Sequence, residues 1–250
     1  MRAVFVQKPV ELRVEVPGDQ IIQGSAVPCT LSVKNHGDAP FSCRDLVLRL
    51  ALADLRKIKA KTADACVTLG EAQLDREITI APGASVSFSW EFAGDRNAPI
   101  TDKSQSPFLV FGYATEGAVL GQQPITVVMH PHCRALFDTL ETVFSFINKG
   151  ESWKDGRTSV KYKAPDIRKL SLVDEMTVSL RFVDDSLEVL YAFKIKKFEA
   201  GAQSLNVKRG KAEVTQVWNP SQYLFGDGFI RQEFLDRSIE EALSAVATGF

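Results

Sequence analysis

Histidine is scarce in this chain: His36, His130 and His132 are the only three in 250 residues. A metal centre built on imidazole has few ligands to draw on. Cysteine is nearly as sparse. Cys29, Cys43, Cys66 and Cys133 stand far apart, which reads as reduced buried thiols in the cytoplasm and not as a disulfide framework. No apolar run approaches the roughly 18 residues of a membrane-spanning helix. The opening MRAVFVQKPVELRV reaches Lys8 and Pro9 before a long apolar core forms, so it reads as no signal peptide. An excess of one charge is missing too. The 30 Lys and Arg face 31 Asp and Glu, which argues against nucleic-acid binding driven by phosphate neutralisation. Gly-x-Ser-x-Gly, Gly-x-Gly-x-x-Gly and the Walker pattern are all absent. The residues alone therefore point to no active site and no cofactor.

What is present is strand alternation. Met176, Val178, Leu180 and Phe182 alternate with polar residues, and Leu187, Val189, Tyr191, Phe193 and Ile195 do so again. Val183-Asp184-Asp185-Ser186 lies between them, so the stretch 176–198 is expected to be a β-hairpin with one buried face. Asp and Ser suit the turn because their side chains bond nearby backbone. The same period-two pattern recurs at Val4 and Val6, Leu12 to Val16, Val27 to Val33, Leu46 to Leu52 and Val86 to Phe92. Strands over 108–113 and 125–129 are expected to join through Glu116-Gly117, and the polar stretch 94–107 reads as a long loop. The basic run 54–61 reads as solvated. Residues 1–129 thus predict seven to nine short strands with no helix, a sandwich of two antiparallel sheets. At His130 the spacing becomes helical. Leu136, Leu140, Val143, Phe144 and Ile147 predict a helix ended by Asn148-Lys149-Gly150. Leu235, Ile239, Ala242, Leu243 and Val246 predict a second helix near the C-terminus, with Glu233, Asp236, Glu240 and Glu241 opposite.

The order of turns is also informative. Val16-Pro17-Gly18-Asp19 ends one strand, and Gly24 precedes the next. Ile80-Ala81-Pro82-Gly83 precedes the aromatic strand 86–92, and Ala98-Pro99-Ile100-Thr101 leads to 108–113. This resembles the N-terminal domain of arrestin-like proteins. His130-Pro131 opening a helix, then Val173-Asp174-Glu175 leading into the hairpin, is similar to the bacterial sporulation-control family of arrestin-like proteins. The pattern departs from that family at Ile147-Asn148-Lys149-Gly150, where a Gly-Phe pair is expected. The resemblance implies a mainly β fold: an arrestin-like β-sandwich over 1–129, and a β-sandwich-like domain over 130–250 with a helix at the domain junction and a C-terminal helix. It also implies a soluble, non-enzymatic regulatory or scaffolding role, in sporulation or stress control, exercised through sheet edges, loops or the groove between domains.

Three constellations bear on sites. His130-Pro131-His132-Cys133 places two imidazoles beside a thiol, which is zinc chemistry. A structural zinc site needs four ligands, and only His36 remains among the histidines, so a helix start at a domain junction is the favoured reading. Asp184-Asp185 and Asp174-Glu175 are paired acids, but strand neighbours point to opposite faces, which favours solvated turns. Lys194, Lys196 and Lys197 cluster at the hairpin end, with Lys208, Arg209 and Lys211 following. They are the candidate partner-binding residues, for an acidic protein or anionic lipid. The favoured reading, with Glu188 and Glu199 nearby, is that they guard an exposed sheet edge or form a solvated face. The expected partner is an unidentified protein and not nucleic acid. Peripheral membrane contact, a small ligand and a second copy of the chain stay open as alternatives.

Overall fold

Alternating apolar residues, buried on one side and wet on the other, shape β-strands such as 10–15, 27–35 and 85–92 in the first unit, Met1–Val128. The computed structural model describes residues 1–60, 62, 65–74, 77–113, 120–167, 170–200 and 205–248, without the side chains of 197–200, 205–208 and 247–248. The first unit runs β1 (Arg2–Gln7), β2 (Val10–Glu15), β3 (Ile21–Ile22), β4 (Val27–Asn35), β5 (Phe41–Cys43) and β6 (Leu46–Asp54). It continues through α1 (Leu55–Ala60), β7 (Cys66–Leu74), β8 (Ile78–Ile80), β9 (Ser85–Phe92), β10 (Gln105–Tyr113), β11 (Gly121–Pro124) and β12 (Val127–Val128).

Two four-stranded antiparallel sheets form, ordered β1-β2-β4-β9 and β11-β10-β6-β7. Their inner faces share one core, with Leu12, Leu31 and Val33 from one sheet and Leu46, Leu48, Leu109 and Phe111 from the other. Each such side chain contributes about 1.5–3 kcal/mol by leaving water. The expected sandwich is present, with local corrections. A helix, α1, stands in the basic run, with no buried residue. β7 and β11 were not expected as strands, and the loop ends earlier, because β10 begins at Gln105 and includes Pro107. The Glu116-Gly117 connection lies outside the described residues.

The second unit, Met129–Phe250, contains α2 (Pro131–Thr142), β13 (Ile147–Lys154), β14 (Arg157–Lys163), β15 (Val173–Val183), β16 (Ser186–Ala200), β17 (Leu205–Trp218), α3 (Pro220–Tyr223) and α4 (Gln232–Thr248). Its strands form a single antiparallel sheet in sequence order. A sandwich-like domain was expected here. Among the described residues no second sheet forms in this unit, and helices take its place. Phe137 of α2 lies 6.3 Å from Tyr162 of β14, and Phe234 of α4 lies 5.3 Å from Trp218 of β17. The stripe Leu235, Ile239, Ala242 and Val246 is buried, as expected of a packing face. The hairpin β15–β16 pairs through Val183↔Ser186, and Asp184 in its turn takes φ +51°. Met176 to Phe182 and Leu187 to Ile195 bury every second residue. The expected helix 136–147 needs correction. It ends at Thr142, Ser145 turns to φ +57°, and Ile147-Asn148-Lys149-Gly150 opens β13 instead of capping a helix.

Candidate functional site

The hairpin end nominated from sequence is a field of ion pairs on the exposed sheet face. Phe193 and Ile195 point inward and are buried, so alternation turns Lys194 and Lys196 to the other side. Lys194 Nζ donates to Glu175 at 2.7 Å, and Lys161 lies 2.9 Å from the same carboxylate. These two lysines hold the Glu175 carboxyl down to about 2, first through the Lys194 hydrogen bond and then through that of Lys161. Lys196 sits 3.7 Å from Asp174. The side chain of Lys197 lies outside the described residues. Arg209, Gly210 and Lys211 of β17 complete a shallow depression with Asp174 and Glu175.

The histidine–cysteine run starts α2. His130 is the N-cap residue, its Nδ1 accepting from the His132 backbone N–H at 3.2 Å, and Pro131 occupies the first turn. The His130 ring packs on Phe182 and the His132 ring on Tyr223. Cys133 is buried, which pushes its thiol up to about 12. Among the described residues no group of three His, Cys, Asp or Glu is placed to hold a metal ion. Cys133 therefore serves the core, and the histidines serve the helix start and its packing. Asp184 and Asp185 are exposed in their turn.

A second surface went unread in the sequence. At one side of the first unit β1 lies against β11, and Gly121 makes this closure fit, since a Cβ there would come within 2.8 Å of Phe5 Cβ. On the opposite side no strand pairing joins β7 to β9 among the described residues, although the Phe92 ring of β9 lies against Gly70 of β7. This side holds a cleft of about 420 Å³ lined by Ile21, Val27, Leu50, Leu69, Phe92 and Ile125, with Glu71, Glu91 and Asp95 also on its wall. Gly94 forms part of that wall, where a Cβ would stand 2.3 Å from the Gly24 carbonyl oxygen. Beside the cleft β7 pairs only with β6 among the described residues. It exposes 60% of Val67 and 43% of Leu69. A free strand edge next to an apolar cleft can take an added strand together with an anchoring side chain. No sequence signal marked this surface, because its parts come from segments scattered over more than a hundred residues.

No protein-family model matches the chain, and no curated protein matches it. Among solved structures, the sporulation control protein Spo0M from Bacillus subtilis is similar over 96% of this chain and 99% of its own, with a TM-score of 0.67 at 17% identity. A β-glucosidase from Erythrobacter marinus covers 51% of this chain and 15% of its own, with a TM-score of 0.31 at 14% identity. The DNA glycosylase AlkC from Pseudomonas fluorescens covers 48% and 30%, with a TM-score of 0.30 at 14% identity. Those two partial likenesses carry no argument about chemistry. No helix among the described residues is long and apolar enough to cross a membrane. Mainly β, with its likeness spanning nearly all of both chains, the protein has a Spo0M-like fold.

Proposed function

We propose that this chain is a non-enzymatic regulatory protein that works by binding another protein, in the broad role of sporulation control for which its structural relative is named. The observation that carries the reading is the β7 side of the first unit: an edge unpaired among the described residues, exposed Val67 and Leu69, and an apolar cleft of about 420 Å³. An extended partner segment adds to the edge through main-chain hydrogen bonds and seats one apolar side chain in the cleft. Glu71, Glu91 and Asp95 favour a segment whose anchor is flanked by basic residues. Sporulation and stress control are the processes in which such a regulator is expected.

The test is affinity capture of the tagged protein from its own cells, washed with salt, beside the variant Val67→Lys/Leu69→Lys. Both side chains are exposed, so the variant keeps its fold. A discrete partner that survives the wash with the wild type and is lost with the variant supports the reading. A partner held equally by both moves the binding site elsewhere. Background alone defeats the reading. The cleft's volume also lies in the range of small-molecule sites, so a metabolite that raises the wild-type melting temperature would then replace it.

A further inference from the structure

Strand register brings like charges face to face at one end of the second unit's sheet. Lys194 lies directly opposite Lys211, and Lys196 directly opposite Arg209. Lys161 and Lys163 stand on the same face of β14, because Val160 and Tyr162 between and beside them are buried. Like charges directly opposite one another destabilise a strand pair. Three carboxylates offset six cations here: Glu175 bridges Lys161 and Lys194, Asp174 meets Lys196, and Glu213 lies exposed at the inner margin. Arg209 and Lys211 form no ion pair among the described residues, and neither does Lys163, although it lies opposite Glu175 in the register. Beyond the pair Val173↔Ile195, β15 stops while β16 and β17 continue as a two-stranded ribbon through Phe198↔Val207 to Ala200↔Leu205.

We infer that this cationic sheet end docks on an anionic lipid bilayer. The charges spread over three strands of a broad, open face, which suits a surface of many headgroups better than a single bound group. Edge protection accounts for part of the pattern only. β17 is the last strand of the sheet, and cations there discourage unwanted pairing. Lys161 and Lys163, however, lie on β14, an interior strand, where no edge needs guarding. The inference stands independently of the partner site at β7, which belongs to the first unit.

The experiment is co-sedimentation of the full chain with phosphatidylcholine vesicles, with and without phosphatidylglycerol, at low and high salt. The variant is Arg209→Gln/Lys211→Gln, which breaks no ion pair found among the described residues and removes both like-charge oppositions, so its melting temperature should hold or rise. Wild type should bind only the phosphatidylglycerol vesicles and release in high salt. The variant should bind them at least about tenfold more weakly. Binding that ignores phosphatidylglycerol, or is equal in the variant, overturns the inference. So does capture of soluble polyglutamate without vesicle binding, which would make the patch a protein site. Self-association of the variant with no vesicle binding by the wild type would leave edge protection as the patch's role and overturn it equally.

Discussion

Glu175 shows how much of a surface depends on one carboxylate. Its two lysines hold its carboxyl at about 2, well below the ordinary 4.5. A carboxyl depressed in the folded state contributes stability that is present above the ordinary value and is lost as pH falls through about 2. Glu175→Gln should therefore lower the melting temperature at neutral pH. The gap to wild type should close between about 4.5 and about 2, as thermal melts across that range would show. The effect will be small, because the carboxylate is open to water. Gly94 should matter more. A Cβ there would overlap the Gly24 carbonyl, so Gly94→Ala should cost about 1–3 kcal/mol in urea unfolding, as overpacking does. At this scale Lys194 and Lys196 were legible, since period two places them opposite Phe193 and Ile195. Their pairing with Asp174 and Glu175 was not, because a bulge between Val173 and Glu175 shifts the register there.

Among the elements, legibility followed regularity. The hairpin β15–β16 carries an unbroken alternation on both sides of Asp184-Asp185 and was readable throughout. β7 was missed because its exposed first half has no alternation to detect, and a register shift opposite Leu50 and Ala51 leaves Leu69 unmatched. The helix α2 was overextended for the opposite reason. Val143, Phe144 and Ile147 continue a helical spacing, but the backbone turns at Ser145 and Ile147 joins the sheet beside Lys163. A local pattern cannot say whether an apolar residue is buried by a helix stripe or stands exposed on a strand, as Ile147 does. α4 was read correctly as an amphipathic stripe. Ile239 is wholly buried in it, so Ile239→Ala should cost about 2–5 kcal/mol, measured by chemical denaturation followed through Trp218 at the α4 face.

At the scale of the molecule, sequence composition hid the most. Charge is nearly balanced over the chain, yet six cations gather at one sheet end. A whole-chain count cannot reveal this, because pairing between β16 and β17 creates it. The open cleft was hidden likewise by the folding together of β3, β7, β9 and the segment before β12. The two surfaces belong to different units, each with its own core and its own sheets. No residue is shared between the cleft at β7 and the cations of β14, β16 and β17. Substitutions without shared partners act additively. Val67→Lys/Leu69→Lys should therefore abolish partner capture and leave phosphatidylglycerol binding within about twofold, while Arg209→Gln/Lys211→Gln should do the reverse. The combined four-site variant should lose both activities by the product of the separate factors, measured by capture and co-sedimentation on one preparation. A combined loss that departs from that product by about tenfold would mean that binding at one unit changes the other, and that the protein couples its partner to the membrane surface.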